Sequence, residues 1–127
     1  MSDSVLDFAV KDTWRIFRIM GEFVEGFETL SQVKGVAIFG SGGMTHFTIN
    51  EDFDRDLFTA IAKRDEQFMR SVDPVYMVDG TSELLNWIAA AGCLFQTTGL
   101  SGGPIDYVPC YRSEAGTGTA QGFITWT

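Results

Sequence analysis

The side chains able to do chemistry in this 127-residue chain are few: one histidine, two cysteines and a run of glycines after an apolar stretch. Histidine is the residue type that exchanges protons near neutrality, and His46 is the chain's single copy. Acid–base work there needs a carboxylate partner, for which Glu51, Asp52 and Asp54 are the nearest in sequence. A satisfied structural histidine on a strand is the equal alternative. Asp52, Asp54 and Asp56 alternate like an acidic metal loop, but Phe53 interrupts them and the glycine and distal glutamate of a calcium loop are missing. They read instead as acids at a helix start, where the dipole favours them, and no metal is expected. Cys93 and Cys110, with His46 alone, are too few soft ligands for structural zinc. Both are expected as buried thiols, and either would need His46 as its base to act as a nucleophile.

Gly40, Ser41, Gly42 and Gly43 form a loop whose backbone N–H groups can wrap an anion; a plain turn is the commoner use of such a run. The glycines of loops 99–103 and 116–118 can line a pocket with Tyr107, Tyr111 and Trp126 as apolar walls. Hairpin loops beside core aromatics are the more frequent arrangement. No cofactor is implied.

The elements that must position these groups begin with a helix. Ile16, Met20, Phe23, Phe27 and Leu30 recur at steps of four and three, one face of a helix from Asp12 to Leu30. Arg15 and Arg18 stand near its start and Glu25 and Glu28 near its end, against the preference of the macrodipole. Two copies crossing antiparallel near Gly21 would bring arginines of one to glutamates of the other. A homodimer or higher oligomer is therefore expected, with Trp14, Arg15, Arg18, Gly21, Glu22, Glu25 and Glu28 at the interface; a solvated charged face is the alternative. Val36 to Phe39 then reads as a strand buried on both faces.

The segment DTWRIFRIMGEFVEGFETL…GVAIFGSGG resembles the start of LOG-type proteins, also called lysine-decarboxylase-like Rossmann proteins. Phe39, Gly40 and Ser41 match the Phe-Gly-Ser that ends the family's first strand beside its nucleotide site. The likeness covers residues 12–43. It implies a Rossmann fold and hydrolysis of a nucleoside monophosphate to base and ribose phosphate. The family's Pro-Gly-Gly-x-Gly-Thr-x-x-Glu signature is absent, as is its Gly-Gly-Gly-Pro-Gly loop. Gly118 and Thr119 could stand for the Gly-Thr pair, but Gly122 then occupies the glutamate position and Ala115 and Gly116 break the preceding Gly-Gly. Local structure is carried over from the resemblance, and the reaction is not.

After Gly43 the pattern predicts a strand over 44–49 and a helix from Asn50 or Asp52 to Val72, ended by Asp73-Pro74. A short strand over 75–78, a turn at Asp79-Gly80 and a helix capped by Thr81 or Ser82 and closed by Gly92 follow. Residues 93–98, 105–111 and 120–126 read as three strands of an antiparallel meander, with Pro109 demanding an edge position or a bulge. The expected fold is α+β: three helices and a mixed, mainly antiparallel sheet in a single domain.

Composition bounds the partners. Hydrophobic residues are 45% and aromatics 13%, enough for a core without disulfides. Nine basic against seventeen acidic residues give a net charge of −8 with no basic cluster. That argues against nucleic acid and anionic membranes as partners. No apolar run approaches the roughly 18 residues of a membrane span, and MSDSVLDFAVKD lacks the features of a signal peptide. A cytoplasmic protein is expected. Its function reads as a self-associating module that binds a small molecule or another protein; the alternative is a nucleotide- or phosphate-binding enzyme related to LOG-type proteins.

Overall fold

The computed structural model describes residue 22, residues 37–97 and residues 100–127. The helix expected over 12–30 and its interface residues Trp14, Arg15, Arg18, Gly21, Glu25 and Glu28 lie outside the described residues; Glu22 is helical and exposed. In chain order the elements are β1 (His46–Thr48), α1 (Glu51–Lys63), α2 (Glu66–Ser71), two 3-10 helices (Pro74–Tyr76 and Asp79–Glu83), α3 (Leu84–Thr97), β2 (Gly102–Tyr111) and β3 (Thr117–Trp126). The sheet runs β1-β3-β2 and both pairings are antiparallel. The fold is α+β.

Two of the three meander strands are β2 and β3, a hairpin. The third position is filled by β1, from the strand expected over 44–49. Residues 93–97, expected as a strand, are instead the last turns of α3, and Gly92 lies buried inside that helix. The reason is that Leu84, Trp87, Ile88, Ala91 and Leu94 keep burying as the helix continues. A helix apolar on most sides is stabilised by packing rather than by propensity, so one glycine does not end it.

The helix expected from residue 50 to Val72 is two helices. Asn50 caps the first by accepting from Phe53 N at 3.1 Å. Arg64 then turns left-handed, at φ 56°, and its N–H reaches back to the Ile61 carbonyl at 3.1 Å. A non-glycine residue in that region is strained. Here the guanidinium compensates by donating to the carbonyls of Leu100, at 2.9 Å, and Phe95. Asp65 restarts the helix, accepting from Phe68 N at 2.9 Å.

Residues 75–78 are not a strand. Asp73 accepts from Val75 N at 3.0 Å and Pro74 begins a 3-10 turn, so the segment curls and leaves Val75 exposed. The Asp79-Gly80 turn is the start of the second 3-10 helix, which runs straight into α3. Residues 37–39 are irregular rather than a buried strand, and Phe39 is 89% exposed. Both sides of β3, the central strand, are already taken by β1 and β2.

Pro109 sits on the edge strand β2, opposite Ala120. Arg112 N donates to Thr117 O at 2.7 Å, and alternation of the ladder then makes the Pro109–Ala120 pair one whose N–H groups face away from each other. The missing proline N–H thus points off the sheet edge. The register shift of β2 against β3 lies elsewhere, between Pro104 and Asp106.

Met44, Leu57, Ile61, Met69, Met77, Leu84 and Ile88 are fully or almost fully buried between α1, α3 and the sheet. Gly122 admits them: a Cβ there would lie 2.3 Å from Met44 Sδ and 2.7 Å from Phe58 Cζ. Cys93 is buried as expected, but Cys110 is exposed, on the face of β2 opposite Tyr107; both thiols are free.

Candidate functional site

Glu83, Asn86 and Trp87 recur at i, i+3 and i+4, the spacing of one helical face. All three grip the glycine loop. Gly43 N donates to Glu83 Oε2 at 2.9 Å, Asn86 Nδ2 donates to Ser41 O at 2.8 Å, and Trp87 Nε1 donates to Gly42 O at 3.1 Å. Gly42 has φ 127°, and a Cβ there would come within 2.8 Å of Glu83 Cβ. The glycines thus serve a close approach of backbone to helix. The Gly43 N–H is engaged by a carboxylate of the chain itself, which an incoming phosphate would have to displace.

Held this way, the loop forms one wall of a groove of about 610 Å³. Trp87, Ala90 and Leu94 of α3, against which the loop packs, continue that wall, and Ile124 and Trp126 of β3 contribute the floor. The remaining polar side chains in the lining are Gln121 and Thr125, and none is charged. Three exposed apolar residues, Phe39, Ile105 and Phe123, rim it. Trp126 Nε1 is buried without a hydrogen-bond partner.

Among the expected site residues, Gly40, Gly42 and Trp126 meet in this groove, and Ser41 and Gly43 are the loop's anchoring points. Tyr107 and Tyr111 do not join them. Tyr107 donates to Asp54 Oδ2 at 2.7 Å, and Tyr111 donates to Glu51 Oε1 at 2.8 Å. Asp54 is fully buried and also accepts from Thr45 Oγ1 at 2.7 Å and Thr45 N at 3.1 Å. Burial pushes its carboxyl above the usual carboxylate range, and the bonds from Thr45 and Tyr107 oppose part of that rise. Burial and then the bond to Asp54 push the Tyr107 phenol far above its usual value. This network ties β1, α1 and β2 together.

His46 lies in a separate cleft of about 270 Å³ beside Phe47, Tyr76, Asp79 and Thr81. Its backbone N–H donates to Thr81 Oγ1 at 2.9 Å. Nδ1 is 2.6 Å from the Met44 carbonyl oxygen. A carbonyl only accepts, so Nδ1 carries the proton. Nε2 faces Glu83 Oε2 at 3.7 Å. The histidine's acidic neighbour is therefore Glu83, not the expected Glu51, Asp52 or Asp54. Gly80 lets the ring in, since a Cβ there would fall 2.0 Å from His46 Cδ2.

Among the described residues, no group of three or more histidine, cysteine, aspartate or glutamate side chains could hold a metal ion, and no helix is long and apolar enough to cross a membrane. Comparison with protein families, with characterised proteins and with solved structures finds no match to this chain.

Proposed function

We propose that the chain is a small-molecule-binding module of the cytoplasm, and that it takes an uncharged, largely apolar ligand into the groove between the glycine loop, α3 and β3. The observation that carries this reading is the lining: indole and phenyl walls, two neutral polar side chains and no charge. A volume of about 610 Å³ falls inside the range of roughly 300–1,000 Å³ typical of ligand sites. A charged ligand would lose its hydration there without a partner, at a cost of several kcal/mol. The same argument weighs against a nucleotide, so the LOG-like beginning serves as scaffold under this reading and not as a catalyst.

The test is a titration with Nile red, a neutral apolar dye. Wild-type protein is expected to bind it with a blue-shifted, enhanced emission. Gln121→Trp, which fills the groove from β3, is expected to weaken binding by about tenfold or more, or about 1.4 kcal/mol, with an unchanged circular dichroism spectrum. Equal affinity in the two proteins would remove the groove as the site.

Self-association belongs to the same proposal and rests on the arginine and glutamate spacing of residues 15–28. Sedimentation of an Arg15→Glu, Arg18→Glu variant is expected to give a lower mass than wild type. An unchanged mass would count against that interface.

A further inference from the structure

His46 Nε2 and Glu83 Oε2 face each other across 3.7 Å as two acceptors, once Nδ1 has been assigned the ring proton by the Met44 carbonyl. Two lone pairs so placed repel unless a donor stands between them. Gly80 packs directly over the ring, close enough that even a Cβ would fall 2.4 Å from Nε2. A proton bound to Nε2 makes the ring itself that donor. We propose that this pair is a proton-operated latch on the glycine loop, setting the wall of the groove according to pH.

The coupling follows from one shared atom. Glu83 Oε2 is the oxygen that faces Nε2 and also the oxygen that accepts from Gly43 N at 2.9 Å. When a proton enters from the cleft and binds Nε2, the imidazolium donates to Oε2 and fixes the carboxylate, and the Gly43 N–H keeps its acceptor. When the proton leaves, the repulsion returns. The Glu83 side chain is 50% exposed, so water is an available alternative partner. Its departure frees the Gly43 N–H and loosens one of the three grips on the loop.

The charged and titratable groups around the ring agree with this assignment. The second 3-10 helix presents Glu83 and, in the same cleft, Asp79; the first presents Tyr76. From β3, the residues paired with β1 are Thr117, Gly118 and Thr119, none of which titrates. Asp54 of α1 is bonded to Thr45, the residue before His46, and to Tyr107. The charged groups nearest the ring are thus two carboxylates, Glu83 and Asp79, and no cation stands among these described neighbours.

Nuclear magnetic resonance tests the latch at its own atoms, whether or not the groove takes a ligand. Between about pH 5 and 8, the range in which histidine changes charge, the Gly43 amide and Trp87 indole resonances are expected to move with one midpoint, shared with the His46 ring. In Glu83→Gln the amide oxygen can still accept from Gly43, but the charge is gone. The Gly43 amide should then stop following the histidine. Asp79→Asn should keep the linkage. A His46 ring that titrates while the wild-type Gly43 amide stays fixed would overturn the proposal, as would a ring that does not titrate in this range. A wild-type curve in Glu83→Gln would do the same, and that variant alters an exposed side chain, so loss of folding does not confuse the result.

Discussion

Replacing Asp54 with alanine is expected to destabilise the protein by about 3–5 kcal/mol, since several buried donors at about 1–3 kcal/mol each lose their acceptor. Thr45 N, Thr45 Oγ1 and Tyr107 OH all converge on this one carboxylate, and the carboxylate itself is fully buried. The loss would consume a large part of a typical domain's roughly 5–15 kcal/mol. Urea denaturation measures it, with Tyr107→Phe as comparator. Removing that hydroxyl leaves the two Thr45 bonds in place, so the cost should be about 1–2 kcal/mol. A loss below about 1 kcal/mol in Asp54→Ala would mean that water or a rearranged backbone satisfies the donors, and that the network does not hold β1, α1 and β2 together.

The same residue gives stability a pH dependence of definite sign. Burial raises the Asp54 carboxyl in the folded state, so the native protein retains a proton that the unfolded chain releases. The contribution is fully present below the unfolded carboxylate value of about 3.9. It is lost as pH rises through the raised native value. Denaturation midpoints should therefore show a component that falls as pH rises from about 3.9 through the raised native value and then levels off, and Asp54→Asn, which cannot titrate, should lack that component.

Asp54 also shows what sequence can and cannot reveal. Alongside Asp52 and Asp56 it reads as one more acid at a helix start. Yet positions 54, 57, 58 and 61 follow the i, i+3, i+4, i+7 spacing of one face, and Leu57, Phe58 and Ile61 on that face are buried. The burial of Asp54 was legible; its partner Tyr107 was not, because nothing local relates residues 53 positions apart. The hairpin strands could be read from β-branched and aromatic runs, with Pro109 marking the edge. The helix break at Arg64 could not, since the bonds that support it run to carbonyls near the end of α3 and beyond it. Gly92 was misleading for the converse reason: tertiary burial outweighs the roughly 1 kcal/mol that glycine costs a helix. As for the candidate site, the glycine loop stood out as a run, but its use depends on Glu83, Asn86 and Trp87. Their common helical face could be read, while the backbone they hold could not.

Trp87 joins that grip to the core, and two substitutions separate the roles. Its ring is 5% exposed and meets Phe58 edge-on at 5.8 Å, while its indole N–H holds the Gly42 carbonyl. Trp87→Ala is expected to cost about 3–5 kcal/mol as a large-to-small core change, and to abolish Nile red binding by collapsing the wall between α3 and the loop. Trp87→Phe keeps most of the packing and removes the one donor, so its stability cost should be nearer about 1 kcal/mol. The groove should nevertheless respond. With the Gly42 carbonyl released, amide exchange at Gly42 and Gly43 should quicken and dye affinity should fall by more than the change in folding stability accounts for. If Trp87→Phe matches wild type in both exchange and affinity, the indole hydrogen bond does not shape the wall, and Trp87 is a packing residue alone. If only affinity survives, the groove tolerates a loose loop and its floor on β3 carries the binding. The loop's hydrogen bonds and the floor's aromatic surface are thus separable by experiment, because they belong to different elements: the first tie the glycine loop to α3, and the second lies on β3.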